Sequence, residues 1–103
     1  SNENTGVFIH HTTGNVYNGL RRLEEAIKSF DRTIELDDKF SLAYNNKGNA
    51  LIELHQYEQA LECYDQAINC DPTRPGAYIN AGGVLGNLKQ YQEALECYDK
   101  AIE

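Results

Sequence analysis

The residues best suited to hold a soft metal ion or act as nucleophiles are three cysteines, Cys63, Cys70 and Cys97, and three histidines, His10, His11 and His55. A zinc site needs about four convergent ligands, usually in closely spaced pairs. Cys63 and Cys70 lie two helical turns apart, while Cys63 and Cys97 occupy matching places in two successive segments, too far apart for one ion. The His10-His11 pair reads as two weak helix residues, so no metal is expected. Asp31, Asp65 and Asp99 recur beside Glu62 and Glu96. A general-acid pair would need burial in a cleft to split its pKa values, and these carboxylates read as a solvated face. No Gly-rich phosphate loop and no nucleophile elbow is present. Nothing converges on catalysis, so neither an enzyme nor a cofactor is expected. What remains is a set of asparagines, Asn15, Asn45, Asn46, Asn49, Asn80 and Asn87. A carboxamide carries both donors and an acceptor, and can hold a peptide backbone in both directions. Such chemistry is recognition, not reaction.

The element that must position these side chains is a repeat. AYNNKGNALIELHQYEQALECYDQAI, from Ala43 to Ile68, returns 34 residues later as AYINAGGVLGNLKQYQEALECYDKAI, from Ala77 to Ile102. More than half of the positions between Ser41 and Asn69 are identical to those between Pro75 and Glu103, without a gap. A worn third copy lies one period upstream, with Gly14, Leu20, Ala26, Phe30 and Ile34 in matching places. Self-similarity at a fixed period of this size signals stacked supersecondary units.

Composition sets the class. Hydrophobic residues make up 41% and charged residues 24%, suited to a soluble protein with a modest core. No apolar run approaches the length needed to span a membrane, and no signal peptide is legible. The formal charge of −7 argues against a nucleic-acid partner, which requires clustered Lys and Arg. An odd number of cysteines placed by the repeat reads as reduced thiols, from which a cytoplasmic location is expected.

Along the chain, residues 1–6 (SNENTG) are expected to form a disordered or tag-derived tail, and residues 7–103 a repeat domain with units of about 7–40, 41–74 and 75–103. The stretch VFIHHTTGNVYN is poor in helix formers, but the repeat phase demands a helix there, with Val16, Tyr17 and Leu20 on its apolar face. From Leu23 the spacing of Leu23, Ala26, Ile27, Phe30 and Ile34 is firmly helical. Ser41 is expected to cap or open the next helix and Thr73 to cap the one after it, with Asp71-Pro72 as a stop and Pro75 in the first turn of that helix. Turns fall at His55-Gln56 and Lys89-Gln90. Each unit is then a helical hairpin, with Ala60, Leu61, Tyr64, Ala67 and Ile68 inward in the second. No strand is expected.

These residues resemble the signature of the tetratricopeptide family, an aromatic, then Leu-Gly, a Tyr, an Ala, an aromatic and a Pro over 34 residues. The second copy supplies Tyr44, Gly48, Leu51, Ala60, Tyr64, Ala67 and Pro72; the third Tyr78, Gly82, Leu85, Ala94, Tyr98 and Ala101; the first Gly14, Tyr17, Ala26 and Phe30. The first copy departs at His10, Thr13, Thr33 and Asp38, and Lys47 and Ala81 replace the usual Leu. The resemblance implies an all-α fold of three stacked hairpins in a short right-handed superhelix, cut from a longer array. It also separates this chain from the related RNA-reading helical repeats, whose period is one residue longer and whose arrays are basic.

At about 100° per residue, Tyr44, Gly48 and Leu51 share one side of their helix, and Asn45, Asn46, Asn49 and Ile52 fall on the other. The third copy places Ile79, Asn80, Gly83 and Asn87 there, and the first His11, Thr12, Asn15 and Asn18. The resemblance implies that this side lines a concave groove. A protein or peptide partner is therefore expected across Asn15, Asn45, Asn46, Asn49, Ile52, Ile79, Asn80, Gly83 and Asn87, with amides that face water in the free protein. Some family members grip a terminal carboxylate in this groove with Lys and Arg. Here Asn49 and Asn80, or Asn15 and Asn46 one repeat earlier, match the clamp asparagines. The cations are missing: His11 or Asn45, Leu42 or Gly76, and Asn46 or Asn80 stand in their places. The alternative reading is a structural spacer or self-assembly scaffold. Apolar residues on the outer side of the last hairpin (Val84, Leu88, Leu95 and Ile102) suggest a homo-oligomer formed through uncapped ends.

Overall fold

The computed structural model describes residues 2–103, with side chains from Asn4 onward. Six helices follow one another: α1 (Asn2–Gly19), α2 (Leu23–Leu36), α3 (Ser41–Glu53), α4 (Tyr57–Cys70), α5 (Pro75–Asn87) and α6 (Tyr91–Ile102). They pair as three hairpins, α1/α2, α3/α4 and α5/α6. The described residues contain no strand, and no helix among them is long and apolar enough to cross a membrane. α1 begins at Asn2, so the helix runs through most of the stretch expected to be a tail; Ser1 lies outside the described residues.

Each hairpin turns in the same way. The residue just past the first helix (Arg21, His55 or Lys89) takes a left-handed conformation with φ of 65°, 61° or 65°. The next amide then reaches back to a carbonyl inside the helix: Arg22 N to Tyr17 O at 2.9 Å, Gln56 N to Leu51 O at 2.9 Å, Gln90 N to Leu85 O at 2.8 Å. That pattern satisfies carbonyls the helix end would otherwise leave open, and it ordinarily favours glycine. Between hairpins the chain stops at an aspartate. The Asp37 carboxylate accepts from Lys39 N at 3.1 Å, and Asp71 accepts from Thr73 N at the same distance. Pro75 opens α5, as its fixed φ and missing N–H allow. Ser41 opens α3 rather than capping it, and Thr73 is not the cap of α5. Ser41 Oγ donates across its hairpin to Ala67 O at 2.9 Å, and Thr73 serves the Asp71 turn.

Within a hairpin the helices meet glycine against ring. A Cβ added to Gly14 would sit 2.5 Å from the Phe30 ring, one on Gly48 2.7 Å from Tyr64, and one on Gly82 2.8 Å from Tyr98. Ala26, Ala60 and Ala94 are buried on the facing helices. Small residues thus bring the backbones close, and the ring fills the remaining space. Thr33, in the place of the second Ala, is fully buried, and its hydroxyl donates to Ser29 O at 2.9 Å. The apolar face of α1 differs from expectation. Val7 and Gly14 are buried, whereas Val16 and Leu20 are exposed. Val84, expected at an open end, is buried in the central cluster with Leu51, Tyr64, Ala77 and Ala81.

The hairpins stack so that α1 touches α3 and α3 touches α5, while α2, α4 and α6 do not touch one another. The first helix of each hairpin therefore forms the inner layer, and the second the outer. At the first junction Lys47, in place of the usual Leu, reaches Asp31 at 2.7 Å. Burial pulls this lysine's pKa down, but the hydrogen bond and charge of Asp31 more than offset it, so the net shift is upward. Asp31 is thus a paired group of the junction rather than part of a free solvated face.

Candidate partner-binding face

The inner layer carries the asparagines, and the structure joins them into a ladder across the hairpins. Asn46 Nδ2 donates to Asn15 Oδ1 at 3.1 Å and to His11 Nε2 at 3.0 Å, both on α1. One hairpin on, Asn80 Nδ2 donates to Asn45 Oδ1 at 3.1 Å. Asn46 and Asn80 are one period apart, and so are His11 and Asn45, so the two rungs are the same contact repeated. Each rung uses the amide group of its donor, with Asn15 Oδ1, Asn45 Oδ1 or the ring nitrogen of His11 as acceptor. The Asn15 and Asn45 amides and the Asn46 and Asn80 oxygens stay available for a partner.

Asn49 has a different role from the one expected. Its Oδ1 accepts the hydroxyl of Tyr64 at 2.6 Å, and Tyr64 is 1% exposed. Burial pushes the Tyr64 hydroxyl pKa upward, so it remains a neutral donor. Asn49 thus belongs to the hairpin interior as much as to the groove. Its period equivalents differ: the first copy has Asn15 although its ring, Phe30, carries no hydroxyl, and the third has Gly83 beside Tyr98. Ile52 is half-buried, whereas Ile79 and Asn87 are exposed. Asn18, on the same side of α1, has a buried Oδ1 with no hydrogen-bond partner among the described residues.

His11 closes the first rung. Its ring packs edge-on against Phe40 at 4.8 Å and tilted against Phe30 at 5.8 Å. Burial lowers its pKa, which keeps the imidazole neutral and its Nε2 free to accept from Asn46. None of the ladder residues is cationic. Arg21 bridges to Glu53, on α3, at 2.6 Å, and that bond holds the Glu53 carboxyl below its usual range.

The groups considered first for chemistry are dispersed. Among the described residues no three His, Cys, Asp or Glu side chains come together as a metal set. Burial raises the thiol pKa of Cys63, Cys70 and Cys97, the opposite of what a nucleophilic cysteine requires.

Models of the tetratricopeptide repeat match residues 9–40, 41–74 and 63–96. The chain belongs to the tetratricopeptide repeat (TPR) family. No curated protein sequence matches the chain. Among solved structures, the second TPR of Spaghetti (RPAP3) bound to the HSP90 peptide SRMEEVD superposes with a TM-score of 0.90 at 22% identity, covering 97% of this chain and 94% of that one. The TPR2B domain of yeast Sti1 in its pHsp70 complex gives 0.91 at 26% identity, over 94% of this chain and 78% of that one. MamA gives 0.91 at 22% identity over 93% of this chain but 56% of its own length, so the TPR chain described here spans little more than half of MamA. Such similarity fixes the fold as an all-α solenoid of TPR hairpins.

Proposed function

We propose that the chain is a non-catalytic protein-interaction module that holds an extended peptide along its inner layer. The observation carrying this reading is the ladder itself. Asn15, Asn45, Asn46 and Asn80 are locked to one another across three helices, so their free donors and acceptors are pre-ordered at helix spacing. Pre-ordering removes part of the entropy a partner would otherwise cost. Ile52 and Ile79 add apolar contacts beside the amides. TPR structures bound to an HSP90 peptide and to pHsp70 support peptide binding on this fold.

The groove chemistry also sets the kind of peptide. A terminal carboxylate draws affinity from a fixed Lys or Arg, and the ladder has none. With a net charge of −7 the chain repels acidic tails. The partner class that fits is a neutral or basic segment recognised through its backbone. Panning a displayed peptide library, followed by anisotropy titration of the selected peptides and of SRMEEVD, tests this. Selected peptides should be neutral or basic, lose affinity on Asn45→Ala with Asn80→Ala, and outbind SRMEEVD. Tight binding of SRMEEVD that depends on its free carboxylate would overturn the proposal, as would selected peptides indifferent to both substitutions.

A further inference from the structure

The outer side of the stack carries two troughs at matching places in successive repeats. Each runs between the second helices of neighbouring hairpins, which do not touch, and is floored by the first helix of the later hairpin. Ile27, Lys47, Leu51, Glu62 and Cys63 help line the first. Their period equivalents Leu61, Ala81, Leu85, Glu96 and Cys97 help line the second, a hollow of about 410 Å³. The first trough stays open although the hairpin α5/α6 follows it, so stacking leaves this side uncovered.

The two copies differ in charge. In the first trough Lys47 rises from the floor to Asp31 at 2.7 Å, an apolar stem carrying a cation onto a carboxylate. In the second, Asp65 holds the place of Asp31, but Lys47 is replaced by a buried Ala81 and Gln59 by Glu93. Asp65, Glu93 and Glu96 therefore line it against Lys100 alone, all four exposed above the half-buried Leu61, Ile68 and Tyr78. None of these carboxylates has an ion-pair partner among the described residues. They converge, as Cys97 in the same wall shows: burial first, then Asp65, Glu96 and Glu93, raise its thiol pKa, with Lys100 opposing. The floor differs too. Tyr44 donates its hydroxyl to Asp38 O at 2.9 Å, whereas its equivalent Tyr78 makes no such bond among the described residues.

We propose that the trough between α4 and α6 docks a basic segment of a partner polypeptide, one Lys or Arg of which takes the position that Lys47 holds in the first trough. Its charged head lies among Asp65, Glu93 and Glu96, and a neighbouring apolar side chain packs on Ile68 and Tyr78. Leu61 and Ile68 are two helical turns apart, about 10 Å, so the trough suits a length of peptide rather than a lone cation. An acidic segment is repelled, which gives the site its selectivity. The trough faces away from the ladder, since Tyr78, Ala81 and Leu85 share one side of α5 and Ile79, Asn80 and Gly83 the other. The inference is thus independent of the groove reading.

Ala81→Lys supplies the cation from within, as Lys47 does beside the rung residue Asn46, and leaves Asn80 in place. A displayed library of random peptides is panned on the parent chain with counter-selection on Ala81→Lys, which discards peptides that use the inner layer. Survivors should carry Lys or Arg beside, or one helical turn from, a large apolar residue. In anisotropy titrations they should lose about three- to tenfold in affinity on Asp65→Asn with Glu96→Gln, and lose none on Asn45→Ala with Asn80→Ala. Should circular dichroism show Ala81→Lys unfolded, the exposed pair Asp65→Asn with Glu96→Gln serves for counter-selection and Glu93→Gln for the titration. A library that yields no peptide separating the two proteins overturns the proposal. So do survivors without basic residues, survivors indifferent to the trough carboxylates, or survivors that free spermine displaces at matching concentration, which would mark a simple cation site.

Discussion

Replacing Asn49 by Ala separates the structure's account of the groove from the one the sequence suggests. If Asn49 were a free amide facing water, its removal would leave stability unchanged or slightly raised, since Ala is the better helix former by about 0.5–0.7 kcal/mol. The structure instead has Asn49 Oδ1 accepting the Tyr64 hydroxyl at 2.6 Å, with Tyr64 1% exposed. Leaving that donor unmatched costs about 1–3 kcal/mol, and the helix-propensity gain offsets only part of it. The net loss should be about 0.3–2.5 kcal/mol, or one to many degrees in melting temperature at about 4–8 °C per kcal/mol for a domain this size. The control is Tyr64→Phe. In the Tyr64→Phe background, Asn49→Ala should lose its penalty and become neutral or mildly stabilising. A double-mutant cycle by urea unfolding of all four proteins measures that coupling. The reasoning is refuted if Asn49→Ala is as stable as the parent, or if its cost is the same whether or not the Tyr64 hydroxyl is present.

Other substitutions test the packing and the turns. Gly48→Ala places a Cβ 2.7 Å from the Tyr64 ring, so overpacking of about 1–3 kcal/mol should outweigh its propensity gain of about 1 kcal/mol; a lower urea midpoint is expected. Lys89→Gly removes a side chain from a residue at φ 65° and should raise the melting temperature, since a left-handed conformation costs a non-glycine residue about 1–2 kcal/mol. His11 should give the first junction a pH dependence. Its folded pKa lies below the ordinary 6.5, so the unfolded chain takes up the proton more readily. Its contribution to stability is full above about 6.5 and is lost as pH falls through the folded value. The urea midpoint of the parent chain should therefore fall further than that of His11→Gln between about pH 7.5 and about pH 5. Parallel curves would refute it.

Much of the fold was legible because the signal is internal. Gly14, Gly48 and Gly82 recur at one spacing, and so do Phe30, Tyr64 and Tyr98; a small residue and a ring held in step across copies can only mark a shared contact. The turn positions were equally clear, though not their mechanism, because Arg21, His55 and Lys89 are unlike the glycine that a left-handed residue ordinarily calls for. The face of α1 was misread for a physical reason. Val16 and Leu20 are apolar, and apolarity at helical spacing argues for burial. In a stack, however, the same periodicity serves both the hairpin partner and the neighbouring hairpin. Val16 occupies a neighbour-facing position, equivalent to Ala50 and Val84, and α1 has no described hairpin before it to cover that face.

The shared side of the asparagines was legible, but not the bonds between them. Helical spacing put the asparagines on one side of their helices, and α1, α3 and α5 do lie side by side there. What spacing along one helix cannot give is the offset between helices, and the rungs depend on it. Asn46 reaches His11 and Asn15, and Asn80 reaches Asn45, at sequence separations of 31 and 35, either side of the 34-residue period. One signal for Asn49 was nevertheless present. In the copy with a buried Tyr64 the facing residue is Asn49, and beside the more exposed Tyr98 it is Gly83. A hydroxyl sealed from water needs an acceptor, and one that reaches solvent does not. The same logic predicts Gly83→Asn: it should stabilise the third hairpin both by propensity and by offering Tyr98 the oxygen that Tyr64 already has. A melting temperature at or below the parent's would show that Tyr98 sits too far out for the pair to form.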